Sequence, residues 1–306
     1  MDCRPVTFKG IPGHLLKDRD LEVIVTDFGA KVQSIRYCGR EFLHQNQNSE
    51  EYRLTEYGSS FYSGEFSGMD EMFPNISVGL YPEGPWRGAQ LPDHGEVWTL
   101  CWSSDVQENG LHFSVDGVML PYRLEKTMWL EQNAICLRYQ AENMAQHDMK
   151  CIWAVHPLFV LEDGMELVLP YCKQIINVYG GQKYLGEYGQ VYPWPVSGQG
   201  RAIELLDGRY KCCNKYYVYN QMERNVSMLR YPSGTTVAFE APVSQVPYLG
   251  VWTDEDGDTM TCAALEPCTG AYDTVEKAME MNAACTIAPG GQHQWSLRIS
   301  FSQVKK

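Results

Sequence analysis

The segment Trp295-Ser296-Leu297-Arg298-Ile299-Ser300-Phe301-Ser302 decides the fold class, because apolar and polar side chains alternate along it without interruption. Successive side chains of a β-strand point to opposite faces, so this period of two predicts a strand with one buried and one solvated face. The same alternation recurs nearer the N-terminus at Leu111–Val115, Ile135–Tyr139 and Met165–Leu169. The sequence therefore predicts a protein built mainly from half-buried strands.

Turn-forming residues separate the strand-like segments. They occur at Glu108-Asn109-Gly110, Glu162-Asp163-Gly164, Asp207-Gly208, Pro232-Ser233-Gly234 and Glu255-Asp256-Gly257. The 16 prolines and 27 glycines leave little room for long helices, and we expect one short helix from Val275 to Ala284. Asp273 is the expected N-cap of this helix, with Glu276 three residues farther on.

The order of these elements predicts the architecture. No βαβ rhythm is visible, which argues against a parallel sheet, and no repeat of fixed period suggests a propeller. We therefore expect an all-β protein, a large antiparallel β-sandwich with few short helices. Although 306 residues correspond to two average domains, large sandwiches often exceed that size, and we expect a single domain over residues 1–306.

Composition limits the partners and the compartment. The net charge of −13 argues against nucleic acid and against an anionic membrane surface as binding partners. The 11 cysteines include no CxxC motif, and the N-terminus lacks the apolar core of a signal peptide. No segment approaches the roughly 18 apolar residues of a transmembrane helix. We expect reduced thiols and a cytoplasmic protein.

Three short segments each place one titratable side chain in an apolar or turn-forming context. They are Leu91–Trp98 with His94, Trp153–Phe159 with His156, and Ala264–Gly270 with Glu266. Pro267 favours an extended backbone at Glu266, and the apolar residues before it predict a desolvated carboxylate with a raised pKa. Two imidazoles and one carboxylate can move protons near neutral pH without a metal or a cofactor.

These three segments resemble the aldose 1-epimerase family, whose members are also called galactose mutarotase-like proteins. Further similar segments are Gly68–Pro74, Tyr248–Thr253, and Pro289–Gly291 followed by Trp295. The similarity extends from about residue 66 to the C-terminus in the family's order. The chain looks nearer to the shorter aldose 1-epimerase-like relatives than to galactose mutarotase itself. The resemblance implies a two-layered sandwich with a sugar cleft.

The resemblance also implies an activity, the interconversion of the α and β anomers of a free aldose. Ring opening needs a base for the C1 hydroxyl and an acid for the ring oxygen. Glu266 is the expected base, His156 the expected acid, and His94 the family's second histidine. Arg87, Asp70 and Trp252 are the expected sugar-binding residues. We expect a monosaccharide substrate, no cofactor, no metal, and a monomer or homodimer.

One departure from the family leaves the substrate open. Galactose mutarotases carry a substrate-binding Asp near the middle of the chain, and the matching stretch here is Cys213-Asn214-Lys215-Tyr216-Tyr217. Asn214 or Lys215 replaces the acid. Galactose is therefore not the assumed substrate.

Other functions remain compatible with the sequence. A non-catalytic sugar-binding protein on the same fold would tolerate loss of the acid–base groups, and a hexose-6-phosphate mutarotase would need clustered basic residues. A glycoside hydrolase would need paired carboxylates. Asp70 and Glu71 are adjacent and would face opposite sides of a strand, which leaves Glu96 with Glu266 as the possible pair. A cupin-like metal site is disfavoured because the histidines lack ligand spacing.

Overall fold

The structure is a computed structural model that describes residues 2–46, 50–179, 185–196, 200, 202–206, 212–255 and 261–303. The turn predicted at Asp207-Gly208 and the last two residues of the turn at Glu255-Asp256-Gly257 lie outside these residues. The strands are β1 Asp2–Phe8, β2 Ile11–Asp18, β3 Leu21–Thr26, β4 Val32–Tyr37, β5 Arg40–Glu41, β6 Met69–Met72, β7 Gly79–Leu80, β8 Gln90–Leu91, β9 Ser103–Gln107, β10 Gly110–Asp116, β11 Tyr122–Glu131, β12 Ala134–Asn143, β13 Met149–Cys151, β14 Ala154–Pro157, β15 Phe159–Val160, β16 Met165–Val168, β17 Gln174–Asn177, β18 Val191–Pro193, β19 Leu205–Leu206, β20 Cys213–Val218, β21 Asn225–Arg230, β22 Thr235–Ala241, β23 Tyr248–Asp254, β24 Cys262–Cys268, β25 Cys285–Ile287 and β26 Gln292–Gln303.

Two large antiparallel sheets contain most of these strands. The first has 13 strands, ordered β1-β2-β3-β4-β6-β14-β24-β23-β20-β17-β18, with β5 paired to β4 and β15 to β24. The second has nine strands, ordered β19-β16-β21-β22-β26-β12-β11-β10-β9. Two small two-stranded sheets, β13-β25 and β7-β8, complete the pairing.

The two large sheets pack face to face over one apolar core. Along β26, Trp295, Leu297, Ile299 and Phe301 are buried, as the alternation predicted. Phe301 of the second sheet meets Phe42 beside β5 of the first, with ring centroids 5.4 Å apart. Full burial of each large apolar side chain contributes about 1.5–3 kcal/mol. The prediction of an all-β antiparallel sandwich is confirmed.

The α-helix is shorter than predicted. Helix α1 spans Val275–Glu280, and three 3-10 helices cover Phe61–Ser63, Gly84–Trp86 and Val97–Thr99. The N-cap is Thr274, whose hydroxyl accepts from the backbone N–H of Lys277, so the prediction of Asp273 as the cap is wrong. Asp273 instead accepts a hydrogen bond from the Tyr217 hydroxyl. In the part of the chain that the structure describes, no helix is both long and apolar enough to traverse a bilayer.

A fully buried ion pair links the two large sheets. Glu71 of β6 accepts hydrogen bonds from Lys126 Nζ of β11 at 2.9 Å and from the Tyr139 hydroxyl of β12 at 2.9 Å. Its second oxygen accepts from Trp153 Nε1 at 3.0 Å. A charge taken out of water needs this degree of compensation. Asp70, the preceding residue, faces away from this cluster, as strand alternation predicted.

Replacement of Lys126 by Met should lower the free energy of unfolding by about 3–5 kcal/mol, because it leaves the Glu71 carboxylate buried without its cation. The matched control is Lys17→Met, which removes the cation of the solvent-exposed Lys17–Glu22 pair and should cost about 1 kcal/mol or less. Urea denaturation of both variants measures the difference. Equal losses in the two variants would contradict the assigned role of the buried pair.

Candidate active site

Five consecutive strands of the larger sheet carry the polar residues of the candidate site. The strands lie in the order β6-β14-β24-β23-β20, and each contributes one side chain, in turn Asp70, His156, Glu266, Trp252 and Lys215. These residues are far apart in the sequence, and the antiparallel register brings them together: His156 pairs with Asp70, and Lys215 with Trp252. The sheet thus forms the floor of the site.

A cavity opens above this floor. His94, His156 and Trp252, predicted from the sequence, line it together with Lys215, Asp273 and several aromatic residues, among them Phe61. Glu266 lies beneath the lining residues with no exposed surface. Four of the six predicted site residues therefore gather at one place.

Glu266 is buried at the base of the cavity and is held from one side. Its Oε2 accepts a hydrogen bond from Lys215 Nζ, whereas Oε1 has no hydrogen-bond partner among the described residues. Oε1 lies 3.8 Å from Nε2 of His156. Burial raises the pKa of Glu266 to about 6, although the Lys215 ammonium opposes the rise. Near pH 7 the residue is therefore mainly a carboxylate with one free acceptor oxygen.

Gly250 makes the contact between Lys215 and Glu266 possible. It lies on β23, between Tyr217 of β20 and Glu266 of β24 in the register. A Cβ atom at this position would lie 3.3 Å from Glu266 Oε2 and 3.3 Å from the Tyr217 ring. The missing side chain leaves the space through which the lysine reaches the carboxylate on the next strand but one.

His156 is enclosed by aromatic rings. The rings of His94, Phe61 and Trp252 lie 4.9, 5.1 and 5.4 Å from its imidazole, measured between centroids. Burial, with the neighbouring His94 and the Lys215 charge, holds the pKa of His156 well below its usual range. The imidazole is therefore neutral at pH 7 and carries a single N–H.

His94 projects into the cavity from a tight turn. Its φ is 58° and that of Gly95 is 74°, and a Cβ on Gly95 would lie 2.3 Å from the Phe73 carbonyl oxygen. Only glycine fits this close approach with a left-handed backbone. The turn is held by the N–H of His94, which donates to the Ile76 carbonyl at 2.6 Å. Burial lowers the pKa of His94 to about 3, with help from the Lys215 and Lys31 charges.

Asp93 and Glu96, which flank His94 in this turn, direct their carboxylates to other partners. Asp93 accepts from the backbone N–H of Phe61 at 2.9 Å, and the Phe61 ring stacks on His94 with centroids 3.9 Å apart. Glu96 accepts from the Tyr57 hydroxyl at 2.7 Å and from backbone N–H groups at Val118 and Met119. Asp93 therefore fixes the segment whose Phe61 ring stacks on His94. Glu96 stabilises the surrounding loops through its hydrogen bonds.

Asp70 does not line the cavity. It is only 1% exposed, and its Oδ1 lies 3.2 Å from Nζ of the equally buried Lys31. Neither Asp70 nor its partner Lys31 lines the cavity, so the predicted contact of Asp70 with the substrate is not supported. Its position as register partner of His156 gives it a supporting place beneath the site.

Arg87 is the second predicted binding residue that the structure leaves outside the cavity. It is exposed and follows the 3-10 helix Gly84–Trp86, which closes the short β7-β8 hairpin. The neighbouring Trp86 packs on Tyr81, with ring centroids 5.7 Å apart, and does not face the cavity. The hairpin fixes this turn at the surface, so the adjacent Trp and Arg do not form a sugar platform.

Asp273 is a site residue that the sequence did not indicate. It lines the cavity, lies 3.9 Å from Lys215 Nζ, and accepts from the Tyr217 hydroxyl at 2.5 Å. The backbone at Tyr272 and Asp273 has φ values of 75° and 64°, and such strained non-glycine residues cluster at functional sites. The sequence around Asp273 is typical of a helix N-cap, so it did not indicate a place in the site. Lys215 is one of the two residues that the sequence offers in place of the family's acid.

The described residues contain no group of three or more His, Cys, Asp or Glu side chains able to hold a metal ion. Among those residues, Lys215 is the only Lys or Arg that lines the cavity.

Solved structures share this fold over almost the whole chain. A galactose mutarotase related enzyme from Lactobacillus acidophilus is 14% identical, covers 96% of this chain and 100% of its own, and gives a TM-score of 0.68. The chain has the galactose mutarotase-like fold. A galactose mutarotase-like protein from Lactobacillus casei gives 0.70 at 15% identity, covering 95% and 100%. One from Clostridium acetobutylicum gives 0.72 at 12% identity, covering 99% and 98%.

No protein-family model matches the sequence, and no curated protein sequence matches it. At these identities the mutarotase-like fold is shared while the side chains have diverged. The resemblance inferred from the motifs is confirmed at the level of the fold, and the roles of the site residues must be argued from their own geometry.

Proposed function

We propose that the protein is an aldose 1-epimerase, a mutarotase that interconverts the α and β anomers of a free, uncharged aldose. The observation that supports this best is the free Oε1 of Glu266, a buried carboxylate oxygen without a hydrogen-bond partner among the described residues. It lies 3.8 Å from Nε2 of His156, which lines the cavity together with His94. A buried acceptor is normally satisfied, and the C1 hydroxyl of a sugar supplies the missing donor.

In this proposal Glu266 is the general base. Its Oε1 accepts the C1 hydroxyl proton as the bond between C1 and the ring oxygen breaks. His156 donates its N–H to the ring oxygen, which becomes the C5 hydroxyl of the open aldehyde. Rotation about the C1–C2 bond, followed by closure with the same groups in reverse, gives the other anomer.

Glu266 and His156 exchange protons with the sugar and with each other, so that both return to their starting forms. Ring opening moves one proton from the C1 oxygen to Glu266 and one from His156 to the ring oxygen. Because His156 Nε2 lies 3.8 Å from Glu266 Oε1, the proton that Glu266 gains can return to the His156 imidazole. The net result is transfer of one proton between two sugar oxygens, with both residues restored.

Lys215 is a positioning residue in this mechanism. Its ammonium holds the second oxygen of Glu266, which fixes the direction of Oε1 and favours the ionised form of a fully buried acid. Without an opposing cation, desolvation would protonate a carboxylate in this place. The lysine thus keeps the base in its reactive form.

The charges of the site favour this function over the alternatives. Lys215 is already matched by Glu266 and lies near Asp273, and no other Lys or Arg among the described residues lines the cavity to bind a sugar phosphate. The carboxylate pairs considered for a glycoside hydrolase are committed elsewhere, since Asp70 pairs with Lys31 and Glu96 binds Tyr57. A sugar-binding protein would also use the free Oε1 as an acceptor, and a measurement of catalysed anomer exchange separates the two functions.

Exchange NMR on a panel of free aldoses at anomeric equilibrium tests the proposal. Wild-type protein should speed α/β exchange of at least one sugar, and Glu266→Gln or His156→Gln should reduce the enzymatic rate about 100- to 10,000-fold. Sugar affinity should fall much less, because most ground-state hydrogen bonds remain. Arg87→Gln is the matched control, since Arg87 lies outside the cavity. Wild-type exchange rates in a folded Glu266→Gln variant would refute the mechanism.

The pH profile of kcat/KM should have one limb in the neutral region. Activity requires the Glu266 carboxylate, so it should rise as pH increases through about 6, the raised pKa of that residue. Both imidazoles are neutral above this pH because their pKa values are lowered. A plateau to about pH 9 is expected; a descending limb near pH 7 would show that imidazolium is the acid.

Replacement of Lys215 by Met should shift the rising limb to higher pH by at least about one unit, because the ammonium no longer favours the Glu266 carboxylate. Lys215→Arg retains the positive charge and should keep the limb near its wild-type position. Rate measurements from pH 4 to pH 10 on the sugar that wild-type protein exchanges fastest separate the two. A Met variant with an unchanged limb and a uniformly lower rate would assign Lys215 to substrate binding alone.

A further inference from the structure

A pair of cysteines lies opposite each other in the small sheet formed by β13 and β25. The register places Cys151 directly across from Cys285. Such partners in an antiparallel pair have Cα atoms about 4.5 or 5.5 Å apart, within the range of about 4.4–6.8 Å that a disulfide spans. No other pair of cysteines is matched in register in the described part of the chain.

The two thiols differ in environment. Cys151 is 1% exposed, whereas Cys285 is only partly buried and can be reached from solvent. The register sets the two side chains beside each other, and the imidazole of His293 lies close enough to the Cys285 thiol to affect its pKa. Cys285 is therefore the more accessible member of the pair, and Cys151 is the protected member.

These contacts separate the acidities of the two thiols. The neighbouring Cys151 thiol lowers the pKa of Cys285 to about 5, and His293 acts in the same direction while burial opposes both. The neighbouring Cys285 thiol and burial raise the pKa of Cys151. The thiolate is the reactive form of cysteine, so the pair holds one nucleophile and one protonated thiol at neutral pH.

We propose that Cys151 and Cys285 form a hydroperoxide-reactive dithiol site, with Cys285 as the attacking residue and Cys151 as the resolving residue. Neither cysteine lines the sugar cavity, and the site is independent of the proposed mutarotase activity. The chemical class of its co-substrate is a hydroperoxide, ROOH. His293 is the group that holds the proton released by Cys285.

The two thiols reduce the hydroperoxide in two steps. The Cys285 thiolate attacks one peroxide oxygen, the O–O bond breaks, and the leaving RO⁻ takes the proton held at His293 to give ROH. Cys285 is then a sulfenic acid. The sulfur of Cys151 attacks it, an S–S bond forms, and the hydroxyl leaves as water with the Cys151 proton. Two thiols are oxidised to a disulfide while one hydroperoxide is reduced to ROH.

Peptide mapping after treatment of the full-length protein with hydrogen peroxide tests the proposal. The Cys172→Ser background is used, because one tryptic peptide contains both Cys151 and Cys172. Limiting peroxide at pH 7 should remove two mass units per chain and yield one cross-linked peptide pair, joining the segment with Cys151 to the segment with Cys285. Dithiothreitol should reverse the change.

Controls separate this site from general thiol oxidation. Cys38 and Cys101 are exposed and have no cysteine across from them in the register, so they should react at least about tenfold more slowly than Cys285. His293→Gln should slow oxidation of Cys285 at pH 7, because the group that delivers a proton to the leaving RO⁻ is lost. In Cys151→Ser, Cys285 should stop at the sulfenic or sulfinic acid.

Three results would overturn the proposal. They are oxidation of Cys285 no faster than that of Cys38, a cross-link between other cysteines, and sulfinic acid at Cys285 while Cys151 remains a free thiol. The mapping of the Cys172→Ser protein needs no further variant, so the test does not depend on how well the Cys151 or His293 variants fold. It also gives its result whether or not any sugar is exchanged.

Discussion

The buried ion pair between Glu266 and Lys215 is the interaction on which the account of the site depends. A carboxylate with no exposed surface would be protonated if burial acted alone, and a protonated acid cannot accept the C1 hydroxyl proton. The lysine offsets part of this cost and occupies one oxygen only. What remains is a partly stabilised base with one free acceptor, which is the state that acid–base catalysis near neutral pH requires.

Buried acids that are each paired with one lysine recur across the first large sheet. Asp70 and Glu71 lie on β6, and Glu266 lies on β24, two strands away. Each acid is matched by one lysine, in turn Glu71 by Lys126, Asp70 by Lys31 and Glu266 by Lys215. The first pair lies between the sheets and joins them, whereas the second supports the floor of the cavity. The third is the only one of these pairs in which a residue, Lys215, lines the cavity. Position relative to the cavity thus separates a structural ion pair from a reactive one.

The sequence predicted the fold because strand alternation is a local property that β26 shows without interruption. It predicted His94, His156 and Glu266 because motif context marks such residues along the chain, and the structure places them together. It did not predict that Arg87 and Asp70 lie outside the cavity, because a turn or a strand residue does not reveal which side of the sheet the cavity occupies. Asp273 was missed because its contact with Tyr217 and its proximity to Lys215 arise from strand order, and its local pattern resembled a helix cap.

The most direct test of the account is a titration of the Glu266 side chain itself. Carbon-13 NMR of protein labelled at the glutamate carboxyl carbons, with Glu266→Gln used to assign the signal, follows its ionisation without a substrate. The account predicts a midpoint at about pH 6, well above that of an exposed glutamate. A midpoint near the ordinary value of about 4.3 would show that the carboxylate is solvated, and would contradict the claim that a desolvated base held by Lys215 defines this site.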